Sequence, residues 1–181
     1  MPTPIQFANR YGLDITIKKF GNATATELTI DFANVCDVNI SGDRVWATGG
    51  QDHSNKIAFN NPLEGTFKIS TQIMTTQLLA LMSGNDDPAS VGDTGTVVFK
   101  NNAASACPSY FEITATTVWQ DASGTTYSET MIFHKVCPKR ALNMSYSGTG
   151  DPTSVDVEFD VLADADGNVV TINKANGGAT T

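Results

Sequence analysis

Apolar and polar residues alternate with a period of two along most of this chain. Leu13, Ile15 and Ile17 alternate with Asp14, Thr16 and Lys18. After the turn-forming stretch Gly21-Asn22-Ala23-Thr24, Leu28, Ile30 and Phe32 alternate with Glu27, Thr29 and Asp31. Further on, Phe111, Ile113, Ala115 and Trp119 share one face of a run that reaches Gln120. The segment Asp121-Ala-Ser-Gly-Thr-Thr126 turns that run into Tyr127 to Val136, a long antiparallel hairpin. The cleanest alternation sets Val155, Val157, Phe159 and Val161 against Ser154, Asp156, Glu158 and Asp160. A last hairpin is expected at Asp166-Gly167-Asn168, leading into Val169 to Ile172. Side chains on a strand point alternately to opposite faces, so each run buries one face and wets the other. The pattern predicts a mainly antiparallel β protein.

One segment departs from this rhythm. No charged residue occurs between Ile69 and Asn85. Met74, Leu78, Leu81 and Met82 follow one another at i, i+4, i+7 and i+8, the spacing of one helix face. The spacing predicts one flanking α-helix at about residues 71–83, capped by Ser70 or Thr71 and stopped by Gly84, with Pro88 forbidding continuation. Leu79 and Ala80 widen its apolar surface, so it needs cover on most sides. That cover is either the chain's own sheet or a neighbouring subunit.

The stretch from Ser41 to Asn61 is a long excursion containing Asp43, Trp46, a Gly49-Gly50 pair and His53. It reads as a projecting hairpin or an exposed loop, and long excursions in compact domains are usually functional or mobile. The residues after Lys174, Ala-Asn-Gly-Gly-Ala-Thr-Thr, have little to bury and form an expected loose tail at 174–181. No internal repeat or linker divides the chain, so a single domain over 1–181 is expected.

Composition narrows the function classes. The 181 residues carry 11 basic and 19 acidic side chains, a net charge of −8. Such a surface repels phosphate backbones, which argues against ordinary nucleic-acid binding. The opening Met1-Pro-Thr-Pro-Ile-Gln-Phe lacks the basic and apolar regions of a secretory signal. No apolar run approaches bilayer length. The three cysteines, Cys36, Cys107 and Cys137, are odd in number and read as reduced thiols.

Catalytic and metal motifs are weak. Asp93-Thr94-Gly95 matches the tripeptide of aspartic proteases, but that chemistry needs two facing copies and the chain has one. His134 and Cys137 with Cys107 match no four-ligand spacing. Asp164-Ala-Asp166-Gly-Asn168 resembles the opening of a calcium loop. Its glycine comes at the fourth position, though, and Ala175 stands where the bidentate glutamate belongs. A tight turn explains those residues better. No catalytic residue, cofactor or metal is expected.

Two stretches resemble a known family. Ile57 to Gly84 reads IAFNNPLEGTFKISTQIMTTQLLALMSG. Phe133 to Val169 contains HKVCPKR, GTGDPTSV and LADADGNV. Both are similar to the major tail tube proteins of tailed bacteriophages, whose fold is akin to type VI secretion tube subunits. The resemblance implies a β-sandwich or barrel with one helix, and homo-hexameric rings stacked into a tube. DNA would pass through the lumen without specific binding. It implies contacts with other tail proteins (terminator, tape measure, baseplate or tip), assembly in the host bacterial cytoplasm, and residence in the virion tail. By that analogy Met74, Leu78, Leu81 and Met82 would lie at a subunit boundary, and Asp43, Trp46 and His53 in a ring-stacking loop. The acidic faces of Asp156, Glu158 and Asp160, and of Glu27 and Asp31, would face the lumen, where like charge keeps DNA from sticking; the alternative for each strand is an ordinary solvated outer face. The alternative is a non-enzymatic β-sandwich binding module, such as a capsid-decorating or receptor-binding domain.

Overall fold

A computed structural model describes residues 7–9, 13–49, 54–84, 87–92, 94–99, 109–139, 143–144 and 154–176. Eleven strands are described: β1 (Phe7–Asn9), β2 (Leu13–Lys19), β3 (Leu28–Ser41), β4 (Arg44–Gly49), β5 (Ser54–Asn60), β6 (Glu64–Thr71), β7 (Phe111–Asp121), β8 (Thr126–Pro138), β9 (Asn143–Met144), β10 (Val155–Leu162) and β11 (Val170–Asn176). One α-helix, α1 (Thr76–Ser83), and a 3-10 turn at Pro88–Ser90 complete the described elements.

The expected alternation is there, and it closes on itself. Strand β7 pairs with β2, β2 with β3, β3 with β6, β6 with β10, β10 with β8, and β8 back with β7. These six strands form a closed antiparallel barrel, and closure is what removes most of the sheet's edges. Two of the expected turns are local. Gly21 turns β2 toward β3 at φ 75°, and Gly124 turns β7 into β8 at φ 88°. Asp121 organises the second turn by accepting hydrogen bonds from the backbone N–H groups of Ser123 and Thr125. Its carboxyl therefore lies below the usual carboxylate range, with the Ser123 hydroxyl the largest contributor.

The inward positions fill the barrel. Ile15, Ile17, Phe67, Ile69, Phe111, Ile113, Phe133, Val155, Val157 and Phe159 are all essentially without exposure. Phe67 stacks on Phe133 with ring centroids 4.7 Å apart and meets Phe159 at 6.1 Å. Burying four phenylalanines in one cluster contributes about 2 kcal/mol for each ring. Gly65 lets β6 approach β3, because a Cβ there would lie 2.4 Å from the Asn39 carbonyl oxygen.

Two expectations are corrected. Strand β6 runs on through Thr71, whose side chain is fully buried, so neither Ser70 nor Thr71 caps a helix. The inward alternation Phe67, Ile69, Thr71 holds the chain in the sheet. Helix α1 begins one turn later, with the Thr75 hydroxyl accepting from the Leu78 N–H at 3.1 Å. It ends where expected, at Gly84 with φ 84°. Met74 thus precedes the helix.

The second correction concerns the last turn. Residues Phe159 to Leu162 of β10 pair with Pro138 to Lys135 of β8, and Val170 to Asn176 of β11 pair with Phe133 to Tyr127. Both segments run in the same direction along one edge of β8. They are therefore not a hairpin but two collinear pieces, separated by a detour over residues 163–169. The Asp164 carboxylate closes the detour, accepting from the N–H groups of Asp166 and Asn168 at 2.9 and 2.8 Å. Val169 is buried and its carbonyl accepts from the His134 N–H, which returns the chain to the ladder. The ladder also continues through Lys174, Ala175 and Asn176, three residues into the stretch expected to be loose. Lys174 holds it there. Its ammonium lies 3.1 Å from the buried Glu129 carboxylate and 4.2 Å from the Trp119 ring centroid.

Candidate assembly surface

With the apolar faces turned inward, the outer faces carry whatever the chain presents to others. Across β3, β6 and β10 the outward positions come into register in rows. Asp37 stands opposite Lys68, and Lys68 opposite Glu158. The Lys139 N–H donates to the Glu158 carbonyl at 2.8 Å, so Lys139 continues the row past the end of β8. The row alternates in sign across four adjacent segments. A neighbouring row sets Ser70 opposite Asp156, with the Ser70 hydroxyl donating to the carboxylate at 2.7 Å.

Alternation along the chain puts Asp156, Glu158 and Asp160 on one face, and they do project together from β10 on the side away from the core. They do not form an uncompensated acidic wall. Lys68 lies 3.0 Å from Asp156; Lys139 pairs with Glu158 and lies 3.5 Å from Asp160. Ser70 and Lys68 together hold the Asp156 carboxyl below its ordinary range. Hydrogen bonding to these carboxylates raises the Lys68 and Lys139 ammonium groups above theirs. Lys68 and Lys139 are invisible in the local sequence because their partners are brought together only by sheet register. Among the described residues, Asp37, Glu64, Asp156, Glu158 and Asp160 against Lys68 and Lys139 still leave this face negative.

The other expected positions scatter. Glu27 is exposed but precedes β3, so it is part of no strand face. Asp31 lies on β3, in the part that pairs with β2 rather than β6, and its side chain is outside the described residues. Leu78, Leu81 and Met82 are at most 1% exposed and belong to the chain's own core cluster. Within the single chain these three side chains have no free surface. Met74 is half-buried against the same cluster. At the surface nearby, Ile73 is 48% exposed.

The excursion is a two-stranded hairpin, β4 with β5, hydrogen-bonded among the described residues only to itself. Its base is fastened by the Asn61 N–H donating to the Asp43 carbonyl at 2.9 Å. Asp43 is exposed; Trp46 pairs with Ala58 through the backbone; His53 lies outside the described residues. The hairpin presents Val45 and Phe59 directly opposite each other, both more than half exposed, with Leu63 equally open at its foot. An isolated two-stranded ribbon with an apolar pair in water is a marginal structure on its own.

Nothing among the described residues resembles an active site. No group of three or more His, Cys, Asp or Glu side chains is placed to hold a metal there. Burial and the nearby Asp37 push the Cys36 thiol up to about 11, and burial raises Cys137, which leaves both thiols protonated and unreactive. Asp93 lies outside the described residues. Asp164, the first residue of the calcium-like motif, spends its oxygens on its own turn.

No family description and no curated protein matches this chain. Eleven chains of solved structures do match. One belongs to the cryo-EM structure of the anti-feeding prophage (AFP) baseplate, 6-fold symmetrised. The two chains share a fold. The likeness covers 96% of this chain and 97% of that one, with a TM-score of 0.55 at 10% identity. The antiparallel β architecture with its helix is thus found, nearly end to end, in a chain of a phage-like particle.

Proposed function

We propose that this protein is a structural subunit of a phage tail or a related injection particle, and that it builds a tube. In this reading copies join into homo-hexameric rings, the rings stack, and DNA passes through the lumen on its way into the host. The observation that carries it is the end-to-end likeness to a chain of a six-fold symmetrised prophage baseplate. Two features of the chain fit. The barrel buries its apolar residues internally and leaves a polar, net-negative outer face on β3, β6 and β10. A wall of that kind avoids the counterion release that makes basic surfaces hold DNA. The β4–β5 hairpin, with Asp43 at its base and the Val45–Phe59 pair on its surface, is suited to reach the next ring. Other tail proteins would meet the ends of the tube, and assembly would take place in the bacterial cytoplasm.

The test is direct. The purified protein, concentrated stepwise and imaged in negative stain, should form rings and then tubes with an open centre. Discrete small particles at every concentration would overturn the tube reading and favour a binding module.

A further inference from the structure

We infer that adjacent copies of this chain join edge to edge through an ion pair between Asp37 of one copy and Lys139 of the next. This rests on the ring reading and adds to it the pair of edges and the charges that select them.

Two strand edges are left unpaired among the described residues. Strand β3 pairs with β2 through Leu28 to Ala33 and with β6 through Ala33 to Ser41. On the side away from β6, its second half therefore has no strand beside it among the described residues. At the other end of the same sheet, β8 pairs with β7 only as far as Val136. Lys139 and β9 lie beyond that point and pair with β10 alone. Among the described residues, the patch β3–β6–β10–β9 thus has an unpaired edge on each side, past the ends of β2 and β7.

The two edges are different and mutually compatible. Every pairing in the sheet is antiparallel, so β3 and the β9 edge run in opposite directions. The β9 edge of one copy set beside β3 of the next makes another antiparallel neighbour. Non-identical edges that fit each other define a heterologous interface, which closes into a ring or extends as a filament.

Charge fixes the choice. The row Asp37, Lys68, Glu158, Lys139 begins with an acid at one open edge and ends with a base at the other. Joining like edges would set acid against acid or base against base. Joining unlike edges sets Lys139 beside Asp37 and continues the alternation without a break. Exposed Asp37 lies on the outward face with Lys68 on its inner side. Lys139 already serves Glu158 and Asp160, and across the boundary Asp37 becomes its third acidic neighbour.

The experiment uses the full chain and two variants, Asp37→Lys and Lys139→Glu. Each is checked for a native circular dichroism spectrum, then assayed for assembly by light scattering and negative stain. Alone, each variant sets like charges across every boundary, and its critical concentration should rise about tenfold or more over wild type. Mixed in equal amounts they should assemble again. Alternating copies restore an unlike pair at every boundary, which no folding defect in either variant could do. If each variant alone assembles as wild type does, the ion pair is overturned while the ring reading stands. If neither the single variants nor the mixture assembles, the pair is likewise overturned. If wild type forms no rings or tubes, the ring reading itself has failed.

Discussion

Replacing Leu81 with alanine isolates what the helix does. Leu81 has no exposed surface and sits in the cluster that also holds Leu78, Met82 and the barrel's phenylalanines. Truncating a fully buried leucine costs its transfer free energy plus that of the cavity left behind, together about 2–5 kcal/mol. Alanine's higher helix propensity returns a few tenths of that. A net loss of about 3 kcal/mol is expected in the isolated subunit. For a chain of this size each kcal/mol lowers the melting temperature by about 2–4 °C, so the midpoint should fall by about 6–12 °C. The assay is thermal unfolding by circular dichroism on dilute monomer, with the half-buried Leu79→Ala on the same helix as the milder control. If Leu81→Ala melted with wild type yet failed to assemble, the side chain would serve a neighbour rather than its own core.

Other perturbations test separate parts of the fold. Gly84→Ala should cost about 1 kcal/mol in thermal unfolding, since a Cβ at φ 84° is strained. Lys174→Ala leaves the Glu129 carboxylate buried without its ammonium partner. It should destabilise by about 2 kcal/mol and raise hydrogen exchange across 170–176 before the rest of the sheet. Asp156 is held below its ordinary range in the folded state, so its contribution is present above about pH 4 and lost as pH falls through the lowered value. The acid limb of an unfolding titration should therefore flatten in Asp156→Asn. In the tube reading, amide exchange in β4 and β5 should slow on polymerisation, and equal protection in both states would remove the hairpin from stacking.

Local signals are legible in the sequence and long-range ones are not. The β2–β3 and β7–β8 hairpins can be read directly because alternation and turn chemistry lie within a few residues of each other. The helix stop at Gly84 is equally local. The helix start falls later than its spacing suggests because Thr71, polar by type, is held in the sheet by burial that only the pairing of β6 with β10 reveals. The turn at Asp164–Asn168 is recognisable, but a turn alone does not say which strand the chain rejoins. Here it returns to β8, not to β10. The same limit governs the charged face. Asp156, Glu158 and Asp160 announce one side of a strand, whereas Lys68 lies on another strand and reaches them only through register. Barrel closure depends on pairings such as β3 with β6 and β10 with β8, which no short window of sequence contains.

The detour between β10 and β11 has a practical side. Because the two segments are collinear along β8, the barrel needs Leu162 and Val170 at fixed positions but sets little demand on how many residues travel between them. Loop length changes conformational entropy only slowly, and the tip at Asp166 and Gly167 is exposed. A foreign peptide spliced in at that tip should leave both strands in register, so the subunit could carry a cargo epitope or a fluorophore-binding tag. Repeated in every copy of an assembly, such an insert would decorate it at regular intervals without touching the sheet that holds each copy together.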